Sequence, residues 1–123
     1  MSLEVVPRKD QKGTVFTALI EEPNPNYDPS SPEGPGNLKY LPVDLTLAVG
    51  NANKIEFKRP NKSTFLKPAD VDGTPSLGRL QYTNLPAEDS VFDMSGLWAY
   101  RGIVVFDDNS SFPGSWFEQR VGK

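Results

Sequence analysis

Apolar and polar positions alternate along most of this chain and almost never recur at helical spacing, so the pattern predicts strands. Residues 14–20 are β-branched, aromatic and aliphatic, which suits a pleated, half-buried surface. The cleanest alternation is at 54–59, where Ile55 and Phe57 point one way and Lys54, Glu56 and Lys58 the other. Residues 60–63 form a turn and 64–67 return as a short strand. A second turn at Asp72-Gly73 precedes 78–83, with Leu80 and Tyr82 as its inward pair. At the C-terminal end, 97–106 reads as one long strand, 107–110 as a hairpin turn and 112–121 as the partner strand. Helix is confined to a single turn at 86–90. The expectation is an all-β fold: one antiparallel β-sandwich domain spanning 1–123, with about seven short strands.

Between the first two strands the alternation stops. Five of the 12 prolines (Pro23, Pro25, Pro29, Pro32 and Pro35) fall in residues 23–36. Proline lacks the N–H that a helix or ladder needs, so this segment is expected to be a long, partly polyproline-like surface loop carrying neither. Chain order is expected to resume at 41–47.

Composition narrows the chemistry. There is no cysteine and no histidine among the 123 residues. That excludes disulfides, thiolate nucleophiles, cysteine-ligated metals, imidazole ligands and a Ser-His-Asp triad. Thirteen basic against 16 acidic residues give a net charge of −3, which argues against general phosphate-backbone binding. No basic leader or long apolar run is visible: Met1-Ser2-Leu3-Glu4 lacks the former, and Ile103-Val104-Val105-Phe106 is the longest example of the latter. No secretion signal and no membrane association are therefore expected.

Asp93-Met94-Ser95-Gly96-Leu97-Trp98-Ala99-Tyr100 carries the strongest fold signal. An acid, a small-residue turn and an aromatic two positions after glycine open the penultimate strand of many immunoglobulin-like sandwiches, with Trp98 where a tyrosine corner is usual. Together with Pro42-Val43-Asp44-Leu45, residues 54–63, Leu80-Gln81-Tyr82 and Phe112-Pro113-Gly114-Ser115-Trp116-Phe117, this order resembles the immunoglobulin-like N-terminal domain of phage baseplate upper proteins and small tail proteins built from it. The resemblance covers roughly 41–121; the loop at 23–36 is longer than that family's pattern. It implies a non-enzymatic structural or adaptor protein of a phage or prophage tail or baseplate, without a cofactor. The implied partners are other tail proteins or further copies of the chain. The implied place is the virion tail, or the cytoplasm when the chain is expressed from a prophage.

Strand 97–106 is apolar on both sides, which points to a second covered face. Leu97, Ala99, Ile103 and Val105 are the expected protein interface; Trp98, Tyr100, Phe57 and Leu80 are expected to hold the core. The alternative function is a ligand-binding module, most plausibly for carbohydrate, with Tyr27, Phe112 and Trp116 as stacking platforms. Three other groupings are weaker. The acids of Asp70-Val71-Asp72-Gly73 and Asp107-Asp108-Asn109 lack the closing glutamate of a calcium loop. Lys54, Lys58, Arg59, Lys62 and Lys67 beside Phe65 resemble a single-strand nucleic-acid surface but more simply meet an acidic protein. Glu88, Asp89 and Asp93 would need a groove to act as a catalytic acid pair.

Overall fold

In a computed structural model the described residues are 7–10, 12–85 and 89–123. Among these residues there are ten strands: β1 Val15–Leu19, β2 Glu21–Pro23, β3 Tyr40–Pro42, β4 Lys54–Lys58, β5 Thr64–Pro68, β6 Asp70–Val71, β7 Arg79–Thr83, β8 Gly96–Val105, β9 Ser111–Pro113 and β10 Phe117–Val121. The fold is all-β and every strand pairing is antiparallel. A five-stranded sheet runs β10-β8-β4-β5, with β9 also on β8; a three-stranded sheet runs β1-β7-β6. Strands β2 and β3 form a separate two-stranded ribbon.

Alternation decides which side of each strand is covered. Phe16 and Ala18 of β1 and Leu80 and Tyr82 of β7 face Ile55, Phe57, Trp98, Tyr100 and Val104 of the larger sheet, and all are buried. Phe16 is the hub, meeting the edges of Phe57 at 4.9 Å, Phe92 at 5.2 Å and Tyr100 at 5.6 Å. Trp98 is wholly buried, and its indole N–H donates to the Met94 carbonyl at 2.9 Å. Gly96, with φ at +128°, lets the chain enter β8 there; a Cβ would lie 2.8 Å from Pro60 Cγ.

Three expectations need correction. The last strand is not continuous. Register sums change by one residue between Ile103↔Pro113 and Tyr100↔Phe117, which is a β-bulge at Ser115 and Trp116. Residues 43–47 are irregular, although Val43 and Leu45 are buried. Their N–H groups donate instead to the carbonyls of Ile20 and Pro75. The proline-rich segment does carry a ladder at its base, where Pro23 pairs with Tyr40, because proline keeps its carbonyl and needs no N–H on a ribbon's open side. These short elements and the split final strand account for ten strands instead of about seven. Of the helical turn expected at 86–90, residues 86–88 lie outside the described residues, and Asp89 and Ser90 are irregular.

Candidate interaction surface

The outer face of the five-stranded sheet follows from register. Glu56 pairs with both Arg101 and Leu66, and Lys58 with both Ala99 and Thr64. Glu118 lies beside Ala99, and Arg120 beside Leu97. Had β9 and β10 been one strand in phase with Phe112, Trp116 would have pointed inward with Glu118 and Arg120. The bulge reverses this. Phe117, Gln119 and Val121 take the inward parity, and Trp116 lies among the outer-face side chains.

Trp116 is held there by two cations. Lys58 Nζ is 4.6 Å and the Arg101 guanidinium 4.4 Å from its ring centroid. Arg101 is oriented in turn by Glu56, whose Oε1 accepts from Nε at 2.8 Å. Each ring contact of this exposed kind contributes roughly 0.5–1 kcal/mol. Beside the indole is a shallow concavity of about 200 Å³, lined by Lys58, Arg59, Lys62, Leu97, Ala99 and Glu118. A second concavity of about 300 Å³ opens where the β1 and β10 edges face each other, lined by Thr17, Leu19, Glu21, Tyr100, Ser115 and Phe117.

The four expected interface residues do share the outer face but are unequally open. Leu97 is 45% exposed, Ile103 and Val105 are half-buried, and Ala99 is buried at 9%. Residues 49–53 cover Val105: its N–H donates to Asn53 Oδ1, and its carbonyl accepts from the Val49 N–H. The three aromatics proposed for a ligand are not brought together. Tyr27 is on the proline-rich segment, Phe112 packs against the core, and Trp116 is on the outer face.

The basic cluster is divided as well. Lys54 and Lys58 lie on the outer face, whereas Lys67 has the opposite parity, opposite Ile55. Arg59 is engaged by both Asp93 oxygens at 3.1 Å and covers the Phe65 ring at 4.4 Å. Phe65 itself packs against the core, so it offers no open stacking face of the kind a nucleic base needs. Asp72 faces Arg79 at 3.7 Å, and Asp108 accepts from the Ser110 N–H, so these acids stabilise turns. Of the three carboxylates considered for catalysis, Glu88 lies outside the described residues, Asp93 is paired with Arg59 and Asp89 is exposed.

Alternation alone did not reveal the bulge or the Trp116 cage. The signal was Pro113-Gly114 inside a strand pattern, a pair that marks a break in pairing. No protein-family model, no curated protein and no solved structure matches the chain.

Proposed function

We propose that the chain is an immunoglobulin-like, non-enzymatic structural or adaptor module of a phage or prophage tail or baseplate, acting through protein–protein contacts on the outer face of its five-stranded sheet. The observation that carries this reading is the open apolar surface there: Leu66 is 52%, Leu97 45% and Trp116 37% exposed on one sheet face. Large exposed apolar side chains that share one sheet face support an interaction surface there. The fold part of the reading is supported by strand order, since β10-β8-β4 against β1-β7-β6 follows the G-F-C and B-E-D neighbours of that sandwich class. The back-bond of Trp98 to Met94 at the start of β8 also supports it, being similar to the bond a tyrosine corner makes.

Light scattering on the full chain over a concentration series tests the reading. Concentration-dependent association that Leu66→Lys and Leu97→Lys abolish, with circular dichroism unchanged, supports it. The exposed, cation-flanked indole favours one second reading, a carbohydrate platform built on Trp116 without Tyr27 or Phe112. A monomer whose glycan binding disappears in Trp116→Ala replaces the first reading with the second.

A further inference from the structure

The proline-rich segment is an ordered arm and not a loose loop. Above the β2–β3 ladder, Asn24 Nδ2 donates to the Leu38 carbonyl at 2.7 Å. The Asp28 N–H donates to Asn37 Oδ1 at 2.8 Å, and Asn37 Nδ2 donates back to the Asp28 carbonyl at 2.9 Å. Polar bonds of its own therefore fix its shape. No residue from 21 to 42 is buried, so the arm has no core of its own. It carries Glu21, Glu22, Asp28 and Glu33 against the single base Lys39, and it exposes Leu38 and Tyr40 among its prolines.

The outer face of the larger sheet has the complementary character. Among the described residues, Lys54, Lys58 and Lys62 have no carboxylate partner, whereas Arg59 and Arg101 are satisfied by Asp93 and Glu56. Lys58 and Lys62 border the concavity beside Trp116. An extended proline-rich segment seats well on an aromatic groove, and carboxylates meeting unpaired lysines set its register.

Geometry directs the contact to another molecule. The arm leaves the body after Ile20, which packs over Gly102, whereas the β4–β5 turn bearing Lys62 packs through Pro60 over Gly96. Gly102 and Gly96 are about 20 Å apart at a strand's rise per residue, so the arm's root is remote from the Lys62 turn even though Glu21 and Trp116 line one concavity.

From these observations we infer that the acidic, proline-rich arm of one copy docks on the Lys58–Lys62–Trp116 face of a second copy. Arm and face are different surfaces, so the contact either closes reciprocally in a two-fold dimer or runs head-to-tail into a ring or a filament. The inference rests on the assembly reading and names what the surface meets.

The test is sedimentation velocity on full-length protein, from micromolar to millimolar concentration and at low and high salt. Two charge-reversed variants are compared, Glu22→Lys with Glu33→Lys on the arm, and Lys58→Glu with Lys62→Glu on the face. Wild type is expected to associate, more weakly at high salt, and each variant alone to remain monomeric. A mixture of the two is expected to form complexes, as is the chain carrying all four changes. A wild type that is monomeric at millimolar concentration overturns the docking. Association that both variants leave unchanged also overturns it; if Leu97→Lys still abolishes that association, the assembly reading survives and only the arm's role falls.

Discussion

Trp98 closes on Met94: a wholly buried indole donates its N–H to a carbonyl four residues earlier, across the corner that opens β8. One residue thereby fills the core with its ring and fixes the chain direction with its nitrogen. Trp98→Ala removes both functions and is expected to cost about 3–5 kcal/mol in urea unfolding. Trp98→Phe keeps much of the ring volume but strands the Met94 carbonyl, and should cost roughly 1–3 kcal/mol. A loss below about 1 kcal/mol for the alanine variant contradicts the core placement.

Asn84 organises the approach to that corner. It is fully buried, accepts from the Val91 N–H at 2.9 Å and donates to the Asp89 carbonyl at 3.0 Å. Asn84→Ala leaves both backbone groups without their partner, which should destabilise the fold by about 2–4 kcal/mol. In hydrogen exchange, the Val91 amide should lose protection before the amides of β4 and β8 do.

Gly102 makes room for the opposite sheet. A Cβ there would stand 2.7 Å from Ile20 Cδ1 and 3.1 Å from Ala18 Cβ. Gly102→Val therefore overpacks the centre of the sandwich, with an expected cost of about 1–3 kcal/mol in chemical denaturation. Pairing it with Ile20→Val, which removes the crowding methyl, should recover part of the loss.

The two tryptophans should separate optically. Trp98 is sealed, whereas Trp116 is exposed beside Lys58 and Arg101. Iodide, drawn by those cations, should quench Trp116 more strongly than neutral acrylamide does, and Trp116→Phe should remove most of the iodide-sensitive emission. Equal iodide quenching before and after the substitution contradicts this placement of the ring.

Stability should decline at both ends of the pH scale. Burial raises the Tyr100 phenol above its usual 10.0. Its contribution is therefore complete below that value and is lost as pH rises through the higher folded one. Tyr100→Phe should flatten the alkaline limb of a thermal-melt series. Hydrogen bonds from Ser30, Thr46 and Ser110 hold Asp28, Asp44 and Asp108 below 3.8. Those contributions are present above 3.8 and disappear as pH falls through the lower folded values, which NMR titration of the three carboxyls would follow.

The larger sheet was legible because each of its central strands reports its own environment. Ile55 and Phe57 against Lys54, Glu56 and Lys58 form a period-two pattern that only one orientation of β4 satisfies. Trp98, Tyr100 and Val104 could be assigned to the core by bulk, although Leu97, Ala99 and Ile103 are equally apolar. The arm was misjudged for the opposite reason. Its order comes from the Asn24, Asp28 and Asn37 side chains bonding to backbone several residues away, and neither periodicity nor strand propensity registers such bonds. The surface around Trp116 was hidden because its composition follows from a shift of one residue in pairing, which Pro113-Gly114 alone signals.

That shift makes the final strand's response to a change in length depend on its sign. Deleting Ser115 would put Phe112 and the residues after the break back in phase. Phe117 and Val121 would still face the aromatic centre and Glu118 and Arg120 the outer side, but the extra residue opposite Arg101, and the bulge with it, would be gone. Replacing Ser115 by another small residue preserves the count and with it the bulge. Among homologous chains, the spacing from Pro113 to Phe117 should therefore be kept or shortened by one residue, whereas an added residue needs a wider bulge or slides Phe117 two residues along β8.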